Sequence, residues 1–131
     1  MRINNENLLE IDNVAQSTSL AASRNFKPIW LGHICNYSIQ LVYTGVPDGS
    51  FKLQASNDLG NPNAQGEANQ YAGVSNWSDI SGSATGAISA AGDTMYDVEN
   101  AGYRWVRVVW TATGAGTAPV LTSARANVKG V

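Results

Sequence analysis

The chain has 131 residues, a net charge of −2, one cysteine and one histidine, and only 14% of its residues are charged, against about 25% for an average soluble domain. That length fits one domain whose core can stand without a disulfide or a structural metal. A single cysteine, Cys35, excludes an intrachain disulfide, no run approaches the ~20 apolar residues of a membrane span, and the scattered Lys and Arg give no electrostatic footprint for nucleic acid.

Residues 1–16 begin polar and hold one apolar cluster, Leu8-Leu9-Glu10-Ile11. Flanking Asn and Asp disfavour a helix interior, so an extended N-terminal arm is expected ahead of one domain over 17–131. The opening residues lack the apolar core of a secretory signal. A protein that reaches the outside would then leave by another route, such as release in a virus particle. Residues 17–23 read as a strand of small side chains. Residues 28–34 read as another strand or a looped edge, because Pro28 and Gly32 interrupt them.

Clear alternation follows. Tyr37, Ile39, Leu41 and Tyr43 face one way, and Ser38, Gln40, Val42 and Thr44 the other. After the turn chemistry of residues 45–49, Phe51, Leu53 and Ala55 alternate with Lys52, Gln54 and Ser56. The pair predicts an antiparallel hairpin. Residues 57–76 form a long polar insertion without a period, and loops of that length are usually functional or mobile. Further strands are predicted at 77–80, 82–91, 94–98, 102–113 and 120–128. In the last, Leu121, Ser123, Arg125 and Asn127 oppose Val120, Thr122, Ala124, Ala126 and Val128. Short strands, frequent turns and no amphipathic helix argue for an all-β fold. Two sheets must stack to hide their apolar faces. An antiparallel, jelly-roll-like β-sandwich is expected; the Cys…Trp…Cys spacing of immunoglobulin domains is absent.

The stretch 102–113 stands apart. Arg104, Val106, Val108 and Trp110 lie on one face, and Tyr103, Trp105, Arg107 and Val109 on the other. Neither face is polar, whereas a strand in a one-sided sheet reads apolar on one face only. Val106, Val108 and Trp110 are expected to line the core. Tyr103, Trp105 and Arg107 are expected to meet a loop, a ligand or another subunit.

Catalytic material is sparse. His33 and Cys35 would share a strand face, but a closed zinc site needs four ligands, and no orienting third group completes a Cys–His nucleophile. The carboxylates sit at turns and strand ends, where solvation and Asx-turns explain them. The 57–69 loop has oxygens enough for calcium but lacks the spaced acids and closing glutamate of an EF-hand. No cofactor, metal or enzymatic activity is expected. What remains is aromatic: Trp30, Trp77, Trp105, Trp110 and five tyrosines on or beside strands, suited to a core, a sugar platform or a protein interface.

One family pattern emerges. The order Gly49-Ser50-Phe51-Lys52-Leu53-Gln54-Ala55-Ser56-Asn57-Asp58, Asn76-Trp77-Ser78-Asp79-Ile80, Gly102-Tyr103-Arg104-Trp105-Val106-Arg107-Val108 and Lys129-Gly130-Val131 resembles small β-sandwich structural proteins of tailed bacteriophages and prophages. The resemblance covers about residues 36–131, and the insertion at 59–74 departs from its compact loop. It implies a virion protein that decorates or stabilises the capsid. Such a protein works by self-assembly and docking, as a homo-oligomer beside the major capsid protein or tail components. Under that reading Leu8, Leu9 and Ile11 of the arm, with Tyr103, Trp105 and Arg107, are the expected interface. The alternative is a carbohydrate-binding, receptor-recognition module of a tail or fibre, with Tyr71 and Trp77 as glycan contacts. The Tyr103-Arg104-Trp105-Val106-Arg107 stretch also resembles the C-terminal strand of discoidin-like carbohydrate-binding modules, at the level of fold alone.

Overall fold

A computed structural model describes the backbone of residues 3–8, 10, 11, 14, 15, 18–32 and 34–130, and the side chains of residues 8, 18–32 and 36–129. Its strands are β1 (Ile3–Asn7), β2 (Glu10–Ile11), β3 (Val14–Ala15), β4 (Arg24–Asn25), β5 (Ile29–Trp30), β6 (Ile34–Val46), β7 (Gly49–Ser56), β8 (Ser78–Asp79), β9 (Gly92–Val98), β10 (Trp105–Ala112) and β11 (Thr117–Gly130). One sheet, here the first, has the order β1-β11-β6-β9; the second has the order β4-β10-β7-β8, with β5 also on β10. Strands β4 and β5 follow each other along β10, at Trp110↔Arg24 and Trp105↔Trp30, and act as one interrupted strand. Counted so, eight strands form two antiparallel sheets in the jelly-roll order. The expected sandwich is therefore the fold, while β2 and β3 pair only with each other.

The predicted hairpin is corrected. Strands β6 and β7 do not pair: β6 lies between β11 and β9, and β7 between β10 and β8. Alternation marks a strand as half-buried without saying which sheet takes it. The connection through Pro47 and Asp48 carries the chain from one sheet to the other. Beside it Gly45 holds φ at 76°, and a Cβ there would collide with the Ala118 carbonyl.

Between the sheets the alternation closes as expected. Tyr37, Ile39 and Leu41 meet Phe51, Leu53, Val106, Val108 and Trp110, all buried. Tyr43, Phe51 and Trp110 form an aromatic spine across the core, with successive ring centroids 5.7 and 4.6 Å apart. The Trp110 indole donates to the Leu20 carbonyl at 3.0 Å, which satisfies the one polar atom this ring brings inside. Strand β11 departs from simple alternation. Its register shifts between Leu121 and Ser123, so Leu121 and Ala124 both point inward, and Val120 stays 41% exposed. A bulge inserts one residue and resets the face.

Two predicted strands are replaced by something sparer. Of residues 17–23, the described residues 18–23 contribute a bridge from Ser19 to Val120 and the backbone bonds around it. Residues 82–91 run beside β7, but side-chain hydroxyls do much of the pairing. Ser83 Oγ accepts from the Leu53 amide at 3.0 Å and Thr85 Oγ from the Phe51 amide at 3.0 Å. Small hydroxyl residues thus satisfy the edge of β7 without extending a strand that could pair further.

The N-terminal residues are also placed in part. Strand β1 pairs with β11 from Ile3↔Lys129 to Asn7↔Arg125. Leu8 is 3% exposed within the core, and its amide donates to the Ala124 carbonyl. Leu8 is therefore a packing residue and not an open interface contact. Leu9 lies outside the described residues, and for Ile11 only its pairing opposite Val14 is described. His33 also lies outside the described residues, and for Cys35 only its place in β6 is described.

Candidate functional site

The most built surface of the molecule is the outer face of β10. There Trp105, Arg107 and Val109 stand opposite Ser56, Gln54 and Lys52 of β7. A polar rung crosses the sheet. Arg107 donates from Nε and Nη2 to Gln54 Oε1 at 2.9 and 2.7 Å, and Gln54 Nε2 donates to Asp79 Oδ1 at 2.9 Å. Gln54 and Lys52 hold the exposed Asp79 carboxyl below its ordinary range.

Residues 57–76, expected to be a polar loop, fold back over this face together with Trp77. They contain a short helix, α1 (Glu67–Tyr71), which breaker-rich sequence had not signalled. Asp58 closes the segment. Its carboxylate accepts from the Ser75 and Asn76 amides at 2.8 and 2.9 Å and from Asn76 Nδ2. These bonds hold the Asp58 carboxyl below its ordinary value. Trp77 lies over the Arg107 guanidinium, 4.2 Å from charge centre to ring centroid, a cation–π contact. Lys27, 8% exposed, meets Glu67 of α1 at 2.9 Å and so ties the cover to the β4–β5 segment. Gly60 lies against the Trp105 ring with φ at 58°, and a Cβ there would sit 2.6 Å from that ring.

The predicted interface trio is accordingly split. Trp105 is 1% exposed, packed on Trp30 with ring centroids 5.0 Å apart, so it is not open to a partner; its face meets a loop. Tyr103 precedes β10 and turns toward the core, where its hydroxyl lies 2.6 Å from that of Tyr37; burial pushes both phenols up. The strand begins at Trp105, and so the alternation could not be extended back to Tyr103. Arg107, like Tyr103, remains half-exposed, but on the outer face. Desolvation lowers its guanidinium from its ordinary value.

Tyr71 and Trp77, the predicted glycan contacts, do come together. With Phe26, Pro28, Val74 and Arg107 they line a recess of about 170 Å³ between the cover and the β4–β5 segment. A second recess of about 160 Å³ adjoins it through Lys27, Pro28 and Tyr71, and reaches Glu67, Gln70, Trp30 and Trp105. Together they form one groove. Sequence reasoning missed Lys27, Trp30 and Glu67 as groove residues, because no local pattern links Lys27 to a helix forty positions away. The apolar character of both faces of 102–113 was the one signal that something covers β10.

The architecture is that of a jelly-roll sandwich with a grooved cover on one outer face. Among solved structures it is similar to the SPBc2 prophage-derived protein YomS, with a TM-score of 0.52 and 12% identity over 97% of this chain and 92% of that one. At that identity the likeness concerns the fold. No family model and no curated protein sequence matches the chain. Among the described residues no helix is long and apolar enough to cross a membrane.

Proposed function

We propose that the chain is a structural component of a bacteriophage particle, a decoration or stabilising protein that docks on the capsid and works by assembly, not catalysis. The observation that carries this reading is the fold shared with a prophage-derived protein along almost the whole of both chains. The outer face of the first sheet suits docking. Its rows Met95–Gln40–Arg125 and Asp97–Ser38–Asn127 carry few charges, with Met95 56% exposed. A standard interface takes about 800 Å² from each partner. Density-gradient-purified particles from the source of the chain should contain it at a fixed ratio to the major capsid protein by quantitative mass spectrometry. An antibody to the chain should label heads in a regular array. Absence from the purified particles would sink the reading, and labelling of tails alone would move it off the capsid.

One observation favours a second reading, recognition of a host-surface glycan. It is the groove in which Tyr71, Trp77 and Arg107 converge.

A further inference from the structure

The few charges on the outer face of the first sheet are sorted by strand. Asp93 and Asp97 of β9 and Glu99 just past it are exposed, and so are Arg125 and Lys129 of β11. Between them β6 turns out Asn36, Ser38 and Gln40, which are neutral. Gln40 stands between Met95 and Arg125, and Ser38 between Asp97 and Asn127. Lys129 lies across Asn36, and both line one recess with Glu99. Among the described residues none of Asp97, Glu99, Arg125 and Lys129 enters an ion pair. Acid therefore runs along one side of β6 and base along the other.

That order is complementary to itself. A two-fold axis lying on this face and parallel to β6 sets the β11 of a second copy over β9, and its β9 over β11. Glu99 of each copy then faces Lys129 of the other, and each pair occurs twice because a two-fold contact is isologous. Met95, 56% exposed, comes against the Arg125 stem of the other copy, which can cover apolar surface while its guanidinium stays hydrated. The alternatives are opposed by the same charges. An axis across the strands would set β9 on β9 and acid on acid. Pairing the free edges of β9 about Met95 would set Asp93 against Asp97. Like charges placed together in a contact are unfavourable. A nucleic acid would meet the acidic stripe as well as the basic one.

We propose that the outer face of the first sheet is a self-association surface, on which a second copy of the chain docks about a two-fold axis parallel to β6, with Glu99 of each copy against Lys129 of the other. This deepens the first reading above: it rests on the chain working by assembly, and it names the partner of that face. The purified full chain is followed by sedimentation over a range of concentrations at low and at physiological ionic strength. A monomer–dimer equilibrium is expected, and added salt should weaken the dimer because exposed charge pairs are screened. Two variants at exposed sites test the geometry. Lys129→Glu and Glu99→Lys should each weaken the dimer by about tenfold or more, since like charges then meet twice. An equimolar mixture of the two variants should dimerise again, because positions 99 and 129 are of opposite sign in both cross pairs. A variant that had merely lost its fold could not be restored by the other. A chain that stays monomeric, a dimer that neither variant weakens, or variants that do not recover on mixing would overturn the proposal. A monomer still found in purified particles would sink this inference alone, and a dimer absent from them would sink the particle reading alone.

Discussion

The two outer faces of the sandwich are built from similar strands and end differently. On the first sheet the outward residues of β6, β9 and β11 are mostly polar, and no described segment folds across them. On the second sheet β10 carries Trp105 and Val109 outward, and residues 57–77 cover it at Trp105 and Arg107, leaving Trp105 1% exposed. The difference teaches that a second apolar face on a strand is a debt of surface that some other segment must cover. It also leaves the two faces unlike: one with a recess along Ser38, Asp97 and Asn127, the other with its recess under the cover.

The sharpest way to break that contrast is at Gly60. Gly60→Ala forces a side chain against the Trp105 ring and the Gln70 carbonyl at a positive φ. A cost of about 1–3 kcal/mol is expected, read by chemical denaturation. Hydrogen exchange should rise in 57–77 and stay unchanged in β6 and β11. Equal loosening of both sheets would show that the cover is not a separate unit.

Acid should act on the same segment more gently. The Asp58 carboxyl lies below its ordinary value of about 3.8 because the Asn76 and Ser75 amides donate to it. A depressed carboxylate contributes stability that is present above the unfolded value and lost as pH falls through the folded one. The amide resonances of Ser75 and Asn76 should therefore shift below pH 3.8, while those of the buried Val106 and Val108 stay still. The two amide readouts separate Asp58 from Asp79, which titrates in the same direction. Tyr96, whose hydroxyl donates to the Ser83 carbonyl and which burial pushes up to about 12, should remain protonated throughout.

The smallest effect is expected on the bare face. Gln40→Ala, at an exposed site, should change stability by no more than about 0.5 kcal/mol. Chemical denaturation checks this. A larger loss would mean that the face is doing structural work within the chain, and that its suitability for docking was misjudged.

Much of the frame was legible because alternation is a local signal. Tyr37, Ile39, Leu41, Tyr43, Phe51, Leu53, Val106, Val108 and Trp110 could be assigned inward from period two alone, and all are buried. What was illegible depends on distant partners. Nothing near Pro47 says that the chain changes sheets there. Nothing in β11 marks the slip between Leu121 and Ser123. Hydroxyls of Ser83 and Thr85 took the place of a strand because they found the amides of β7. For the groove, the aromatic contacts Tyr71 and Trp77 were visible as residue types. The Lys27–Glu67 ion pair beside it arises only when the cover folds.

The position of β11 sets the order in which the molecule can be made. It lies between β1 and β6, so the earliest strand has no neighbour in its sheet until the last of the eleven has left the ribosome. The second sheet, whose strands all lie upstream of residue 113, can gather first. The first sheet closes late, around partners more than a hundred residues apart, as at Ile3↔Lys129. Such non-local closure is slow and exposes apolar strands while it waits. Nascent chains stalled before residue 117 should accordingly be the species most in need of a chaperone.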